Sequence, residues 1–139
     1  MPLLPAIKET ILEWTNEGHE YLYQEQPERM KSLEHELSNQ SLHLDFQLYR
    51  RTDWHPIMQA QTGNIIPLDR VSSWSYNVDI PNAKYEGIDS VLLILGPGIV
   101  KGVDIADISS YKEEQEVMLA PAKFYVESRK GDILYVKYI

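Results

Sequence analysis

The apolar period of this chain changes once, near Leu42, and that change limits the folds open to it. Upstream, Ile7, Ile11 and Trp14 recur at helical spacing and Gly18 stands where a helix C-cap belongs, so the pattern predicts a first helix over residues 6–17. Pro27 is placed as the first-turn residue of a second helix, with Met30, Leu33 and Leu37 on one face and Ser38-Asn39 at its end. Neither helix carries obvious chemistry, and both read as scaffold packed on a sheet. From Leu42 the period is two. Leu42, Leu44, Phe46 and Leu48 alternate with His43, Asp45, Gln47 and Tyr49, which predicts one half-buried strand. Pro56, Gly63-Asn64 and Pro67 make residues 52–70 a loop with at most a short helical turn. Val91 to Leu95 is a fully apolar strand closed by Gly96-Pro97-Gly98. Further strands are expected near 99–103, 115–119, 123–127 and 132–138, with a turn at Lys130-Gly131 joining the last two. Helices first and strands afterwards is an α+β arrangement. The chain divides into a helical part, 1–41, and a mainly β part, 42–139, within a single domain.

Length and charge narrow the classes further. A chain of 139 residues has room for one real core and no second domain. Its net charge of −8, with no Lys/Arg run longer than two residues, argues against nucleic acid as a partner, because phosphate binding needs clustered cations. There are no cysteines, so disulfides, thiol nucleophiles and thiolate metal sites are excluded. The four histidines show no metal spacing. His35-Glu36, for instance, is followed at position 39 by asparagine. No metal is therefore expected. No apolar run approaches the roughly 20 residues of a membrane span, and Lys8-Glu9 interrupts the N-terminus too early for a signal peptide. The expectation is a cytosolic protein, or an effector delivered into a target cell's cytosol. Gly96-Pro97-Gly98 is no dinucleotide loop, since Lys101 stands where the third glycine of that fingerprint belongs.

The chemistry concentrates in Glu114-Gln115-Glu116-Val117-Met118-Leu119-Ala120-Pro121. The two glutamates stand at the mouth of a short apolar strand, whose period of two puts them on one face, roughly 7 Å apart, and sends Val117 and Leu119 into the core. Adjacent carboxylates repel, and folding alone does not call for them. Read in isolation, with Asp107 and Glu113 nearby, they would make a solvated acidic edge. Two upstream segments point elsewhere: Leu48-Tyr49-Arg50-Arg51 at a strand's C-terminal end, and Val71-Ser72-Ser73-Trp74-Ser75.

Taken together and in this order, the three segments resemble the motifs of mono-ADP-ribosyltransferases of the arginine–serine–glutamate class, which includes toxins and exoenzymes. The glutamate segment is similar to that class's E-x-E-V-L-L-P signature, and the match spans residues 48–138, about two thirds of the chain. The resemblance implies two antiparallel sheets meeting at a NAD cleft, with the N-terminal helices packed to one side. It implies transfer of ADP-ribose from NAD to a protein side chain. A glutamate at position 114, where other members have glutamine, resembles the arginine-modifying ones. The alternatives kept open are a NAD glycohydrolase using the same site and a non-catalytic binding module on the same fold.

The resemblance also assigns roles. Glu116 takes the place of the catalytic glutamate and Glu114 that of the group serving the acceptor. Arg50 is placed to hold NAD by its planar fork, with Arg51 next in line if the register slips by one. Ser73 matches the serine that orients the catalytic glutamate, and Ser75 and Trp74 belong to the same NAD-binding segment. Here the sequence departs from the pattern, since Trp74 replaces a small residue and Val71 an aromatic, and Trp74 can either stack on a base or fill core. Tyr111 lies in the stretch that contacts the target protein in this class. NAD enters as a substrate, and the target protein is unspecified. Toxic members of the class commonly have a neutralising partner protein, so the resemblance also allows an immunity protein or antitoxin as a partner here.

Overall fold

The computed structural model describes residues 3–17, 19–109 and 111–139. In chain order its elements are α1 (Pro5–Glu17), α2 (His19–Glu25), α3 (Pro27–Ser38), β1 (Ser41–Leu44), β2 (Leu48–Thr52), α4 (His55–Met58), β3 (Ile65–Leu68), β4 (Ser72–Ser75), α5 (Asp79–Lys84), β5 (Val91–Leu95), β6 (Gly98–Asp104), a 3₁₀ turn (Lys112–Glu114), β7 (Glu116–Leu119), β8 (Ala122–Lys130) and β9 (Ile133–Tyr138). The class is α+β as expected.

The nine strands form one curled sheet in the order β1-β6-β7-β4-β2-β5-β9-β8-β3, instead of two separate antiparallel sheets. Every pairing is antiparallel except β5 with β9. The reason is visible in the middle of the order. β7 pairs with β4 on one side and β6 on the other, so the two halves of the sheet share strands and never separate. Curling lets one face close on itself. Leu44, Leu48, Trp74, Val91, Leu93, Val100, Leu119, Phe124 and Leu134, from eight different strands, belong to a single core with Ile66 of the ninth.

The other face is covered by the first three helices. Ile7, Ile11 and Trp14 of α1, Leu22 of α2, and Met30, Leu33 and Leu37 of α3 pack on Val71, Ile105, Met118 and Ala120. β7 is therefore buried on both faces. Val117 and Leu119 enter the inner core as expected, while Met118 and Ala120 meet the helices. Burying each of these larger side chains contributes about 1.5–3 kcal/mol, which fixes the strand that begins with Glu116.

Three local expectations change. The alternating run from Leu42 is two strands, β1 and β2, because residues 45–47 leave the ladder. β1 joins β6 at one end of the sheet, and β2 joins β4 and β5 near its middle. Phe46, expected to face inward, is 68% exposed and stands edge-on to Tyr76 at 6.2 Å. The stretch 52–70 contains α4 and also a strand, β3. Pro67 is tolerated there because β3 is the outermost strand, where a missing N–H breaks no second ladder. The short helices α2 and α5 lack enough apolar repeats to announce themselves. The capping role expected of Gly18 lies outside the described residues.

One close approach locks β6 to β7. A Cβ on Gly102 would run into the Met118 carbonyl oxygen and lie 3.1 Å from Leu119 Cα, both of them backbone atoms that cannot move aside cheaply. Gly102→Ala should destabilise the protein by about 1–3 kcal/mol, read as a lower urea midpoint at unchanged slope. An unchanged midpoint would mean that the two strands separate more easily than this packing implies.

Candidate active site

β2 and β4 share a single register pair, Tyr49 with Ser75, and then splay apart. Into that gap opens a cleft of about 660 Å³, lined by residues from α1, β2, β4, α5, the 3₁₀ turn and β7. That volume is in the range of small-molecule sites, about 300–1,000 Å³. Arg50 spans the gap, its Nη1 donating to the Ser73 carbonyl oxygen at 2.9 Å. Its Nε is buried with no hydrogen-bond partner among the described residues. Burial pushes its pKa down, opposed by Tyr85 and Glu116. A guanidinium stays charged through such a shift. A cation with an unused donor, set in a cleft wall, suits an anionic ligand group.

Glu116 opens β7 directly opposite Ser75, and Ser73 lies two residues along β4 on the same face. The Glu116 carboxyl is half-buried and its pKa is raised, first by desolvation and further by the Glu114 charge. The Ser73 hydroxyl, the Lys84 ammonium and the Trp14 indole N–H work in the opposite direction. The net result is a carboxylate kept short of water but given a donor. Such a group can stabilise a neighbouring positive charge that forms during a reaction.

Glu114 reaches the cleft by a route the strand period did not anticipate. It ends the 3₁₀ turn and lies outside β7, so the one-face argument for the two glutamates does not hold. Gln115, between them, takes a left-handed conformation with φ of 48°. For a non-glycine residue this costs about 1–2 kcal/mol. Ser75 holds the turn in place, its Oγ donating to the Glu114 carbonyl oxygen at 2.6 Å and accepting from the Asn77 N–H at 3.0 Å. Tyr76 N–H adds a bond to the Gln115 carbonyl at 3.2 Å. The Glu114 carboxylate meets the Lys84 ammonium of α5. Both glutamates line the cleft all the same.

Arg51 is occupied elsewhere. Its Nε donates to Asn82 Oδ1 at 2.8 Å, its Nη1 to Ser90 Oγ at 3.1 Å, and Asp132 lies 3.7 Å away. The Trp74 indole is 2% exposed, packs on Phe124 at 5.4 Å and donates to Ser72 Oγ at 2.8 Å, so its ring fills core behind the cleft wall. Tyr111 is 46% exposed and is absent from the cleft lining. Arg50, Ser73, Ser75, Glu114 and Glu116 are brought together, from positions 66 residues apart in the sequence. Sequence reasoning missed Trp14 and Lys84. Trp14 reads as an ordinary apolar helix position, although an indole buried with its N–H commonly finds a polar partner. Lys84 gives no periodic signal.

No protein-family model matches the sequence, and no curated protein does. Solved structures do. Plx2a, an ADP-ribosyltransferase toxin from Paenibacillus larvae, superposes with a TM-score of 0.72 at 17% identity, over 99% of this chain and 87% of that one. C3stau2 from S. aureus, solved with NAD, gives 0.70 at 15% identity, over 99% and 88%. The ADP-ribosyltransferase Vis in complex with agmatine gives 0.62 at 17% identity, over 97% and 74%. The fold is therefore that of the mono-ADP-ribosyltransferase toxins, the class that the three sequence segments resemble. Among the described residues, no helix is long and apolar enough to cross a membrane.

Proposed function

We propose that this chain cleaves NAD at the nicotinamide–ribose bond and transfers ADP-ribose to an arginine of a target protein. One observation carries the reading. Arg50, Ser73, Glu114 and Glu116, far apart in sequence, line a single cleft in a fold shared with ADP-ribosyltransferases. The relatives solved with NAD and with agmatine, a guanidinium compound, support NAD as donor and a guanidinium as acceptor.

The residues divide the work as follows. Arg50 holds an anionic or polar part of NAD through its unused Nε. Ser73 presents Glu116. As the bond from ribose C1′ to nicotinamide nitrogen breaks, its electron pair leaves with neutral nicotinamide, so no general acid is required. Positive charge grows on the ribose, and the Glu116 carboxylate stabilises it. The acceptor nitrogen then bonds to C1′ and its proton passes to Glu114, because a guanidinium is not nucleophilic while fully protonated. Tyr111, exposed just before the 3₁₀ turn, is assigned to the target protein. Trp74 and Ser75 serve the site as its wall and its brace.

Purified protein should release nicotinamide from NAD and label agmatine with ADP-ribose. A folded protein that leaves NAD intact would instead be a binding module. A NAD glycohydrolase at the same site is the second reading. It is favoured by Lys84, which occupies the carboxylate an arginine acceptor would need.

Arg50 gives a direct test of NAD binding. Arg50→Lys keeps the charge but loses the planar fork, and should raise the NAD dissociation constant tenfold or more, about 1.4 kcal/mol. Arg51→Lys should change it much less, since Arg51 is committed to Asn82 and Ser90. Titration calorimetry showing the larger effect at Arg51 would reverse the assignment.

A further inference from the structure

Helix α1 reaches the centre of the cleft through one side chain. Trp14 is 7% exposed, stands edge-on to Tyr23 at 6.4 Å, and places its Nε1 3.0 Å from Ser73 Oγ. An indole nitrogen only donates, so the serine oxygen is the acceptor in this contact. A serine hydroxyl has a single hydrogen, and with the indole N–H on one side that hydrogen must turn elsewhere. Glu116 lies across the ladder on the same face as Ser73, and both the Ser73 hydroxyl and the Trp14 indole N–H favour its ionised form.

We infer that Trp14 is a positioning residue, whose indole N–H ties the Ser73 hydroxyl and the Glu116 carboxylate together. This makes α1 part of the catalytic apparatus as well as its scaffold. The inference rests on Glu116 being the carboxylate that serves the ribose. The charged and titratable groups that share this pocket are Glu114 from the 3₁₀ turn, Lys84 and Tyr85 from α5, and Arg50 from β2. Arg50 Nη1 is spent on the Ser73 carbonyl and the Lys84 ammonium on the Glu114 carboxylate, whereas the Trp14 indole N–H is directed at the Ser73 hydroxyl.

The test is to install 3-benzothienylalanine at position 14, which keeps the size of the ring system and replaces the N–H by sulfur. Glu116 is followed by carboxyl-¹³C NMR, assigned with Glu116→Gln, alongside the pH profile of nicotinamide release. Glu116 should titrate about 0.5–1 pH unit higher than in the parent, the equivalent of one ordinary hydrogen bond. The acidic limb of the rate profile should move with it. At neutral pH kcat should fall about 3–10-fold with the KM for NAD within about twofold, the loss of one modest hydrogen bond. In a Ser73→Ala background the analogue should produce a smaller shift, because the part carried by the hydroxyl is already gone and only the direct indole contact is left to lose. A Glu116 titration that does not move in the folded analogue overturns the inference, as does an equal shift without Ser73. If the parent releases no nicotinamide, the proposed function falls. The NMR titration still decides whether Trp14 acts on Glu116, and how much of the effect passes through Ser73.

Discussion

Glu116→Gln should lower NAD cleavage by about a thousandfold or more while leaving the protein folded. Glutamine keeps the shape and the contact with Ser73 but removes the charge that faces the ribose. Burial raises the pKa of Glu116 above its value in the unfolded chain, so the native state holds that proton more tightly. The stability contributed by the protonated form is present below the unfolded pKa and is lost as the pH rises through the folded one. At neutral pH the ionised carboxylate thus costs stability, and the glutamine variant should melt at or above the parent temperature. Activity should require the ionised form, which places the acidic limb of the parent's rate profile above the ordinary carboxylate value of 4.5. Nicotinamide release at near the parent rate would show that another group stabilises the reacting ribose. A large loss of melting temperature would show that Glu116 is structural.

The parts of this molecule that were legible in its sequence share a cause. α3, β5, β8 and β9 repeat apolar residues over enough positions for the period to stand out, and each buries that face. Arg50, Ser73 and Glu116 were found through motif order, and the cleft brings them together. What the sequence did not show depends on contacts made only once the chain has folded. The break at residues 45–47 leaves the alternating pattern intact while sending β1 and β2 to distant parts of the sheet. The sheet's continuity depends on β7 having partners on both sides, which no local pattern encodes. Glu114 looked like a strand residue because its spacing from Glu116 is two. The left-handed Gln115 closes the 3₁₀ turn, so the strand starts only at Glu116, and glutamine gives no hint of that conformation. Trp14 occupies a helix position that any large apolar residue could fill, and only its distance to Ser73 sets it apart.

Glu114→Gln should separate transfer from hydrolysis. Glu116 acts on the ribose, a step common to both reactions, whereas Glu114 is proposed only to take the guanidinium proton. Its backbone is held by Ser75 and its position by the 3₁₀ turn, so the substitution leaves the geometry of the turn in place. The Lys84 ammonium, 60% exposed, turns to water, and the glutamine amide, on a side chain only 17% exposed, keeps an oxygen that can still accept from it. Water is small and enters the cleft without a partner to position it. Labelling of agmatine should therefore fall by about two orders of magnitude or more, the size expected for losing a proton acceptor, while much of the nicotinamide release survives. Both rates are measured on one preparation, by labelled-acceptor formation and by nicotinamide release. Equal losses in the two assays would assign Glu114 to NAD binding or to the turn itself. Steady nicotinamide release by the parent with no labelled agmatine would favour the glycohydrolase, or an acceptor other than arginine. Lys84 would then be the natural next substitution, since it covers the carboxylate that arginine would have to reach.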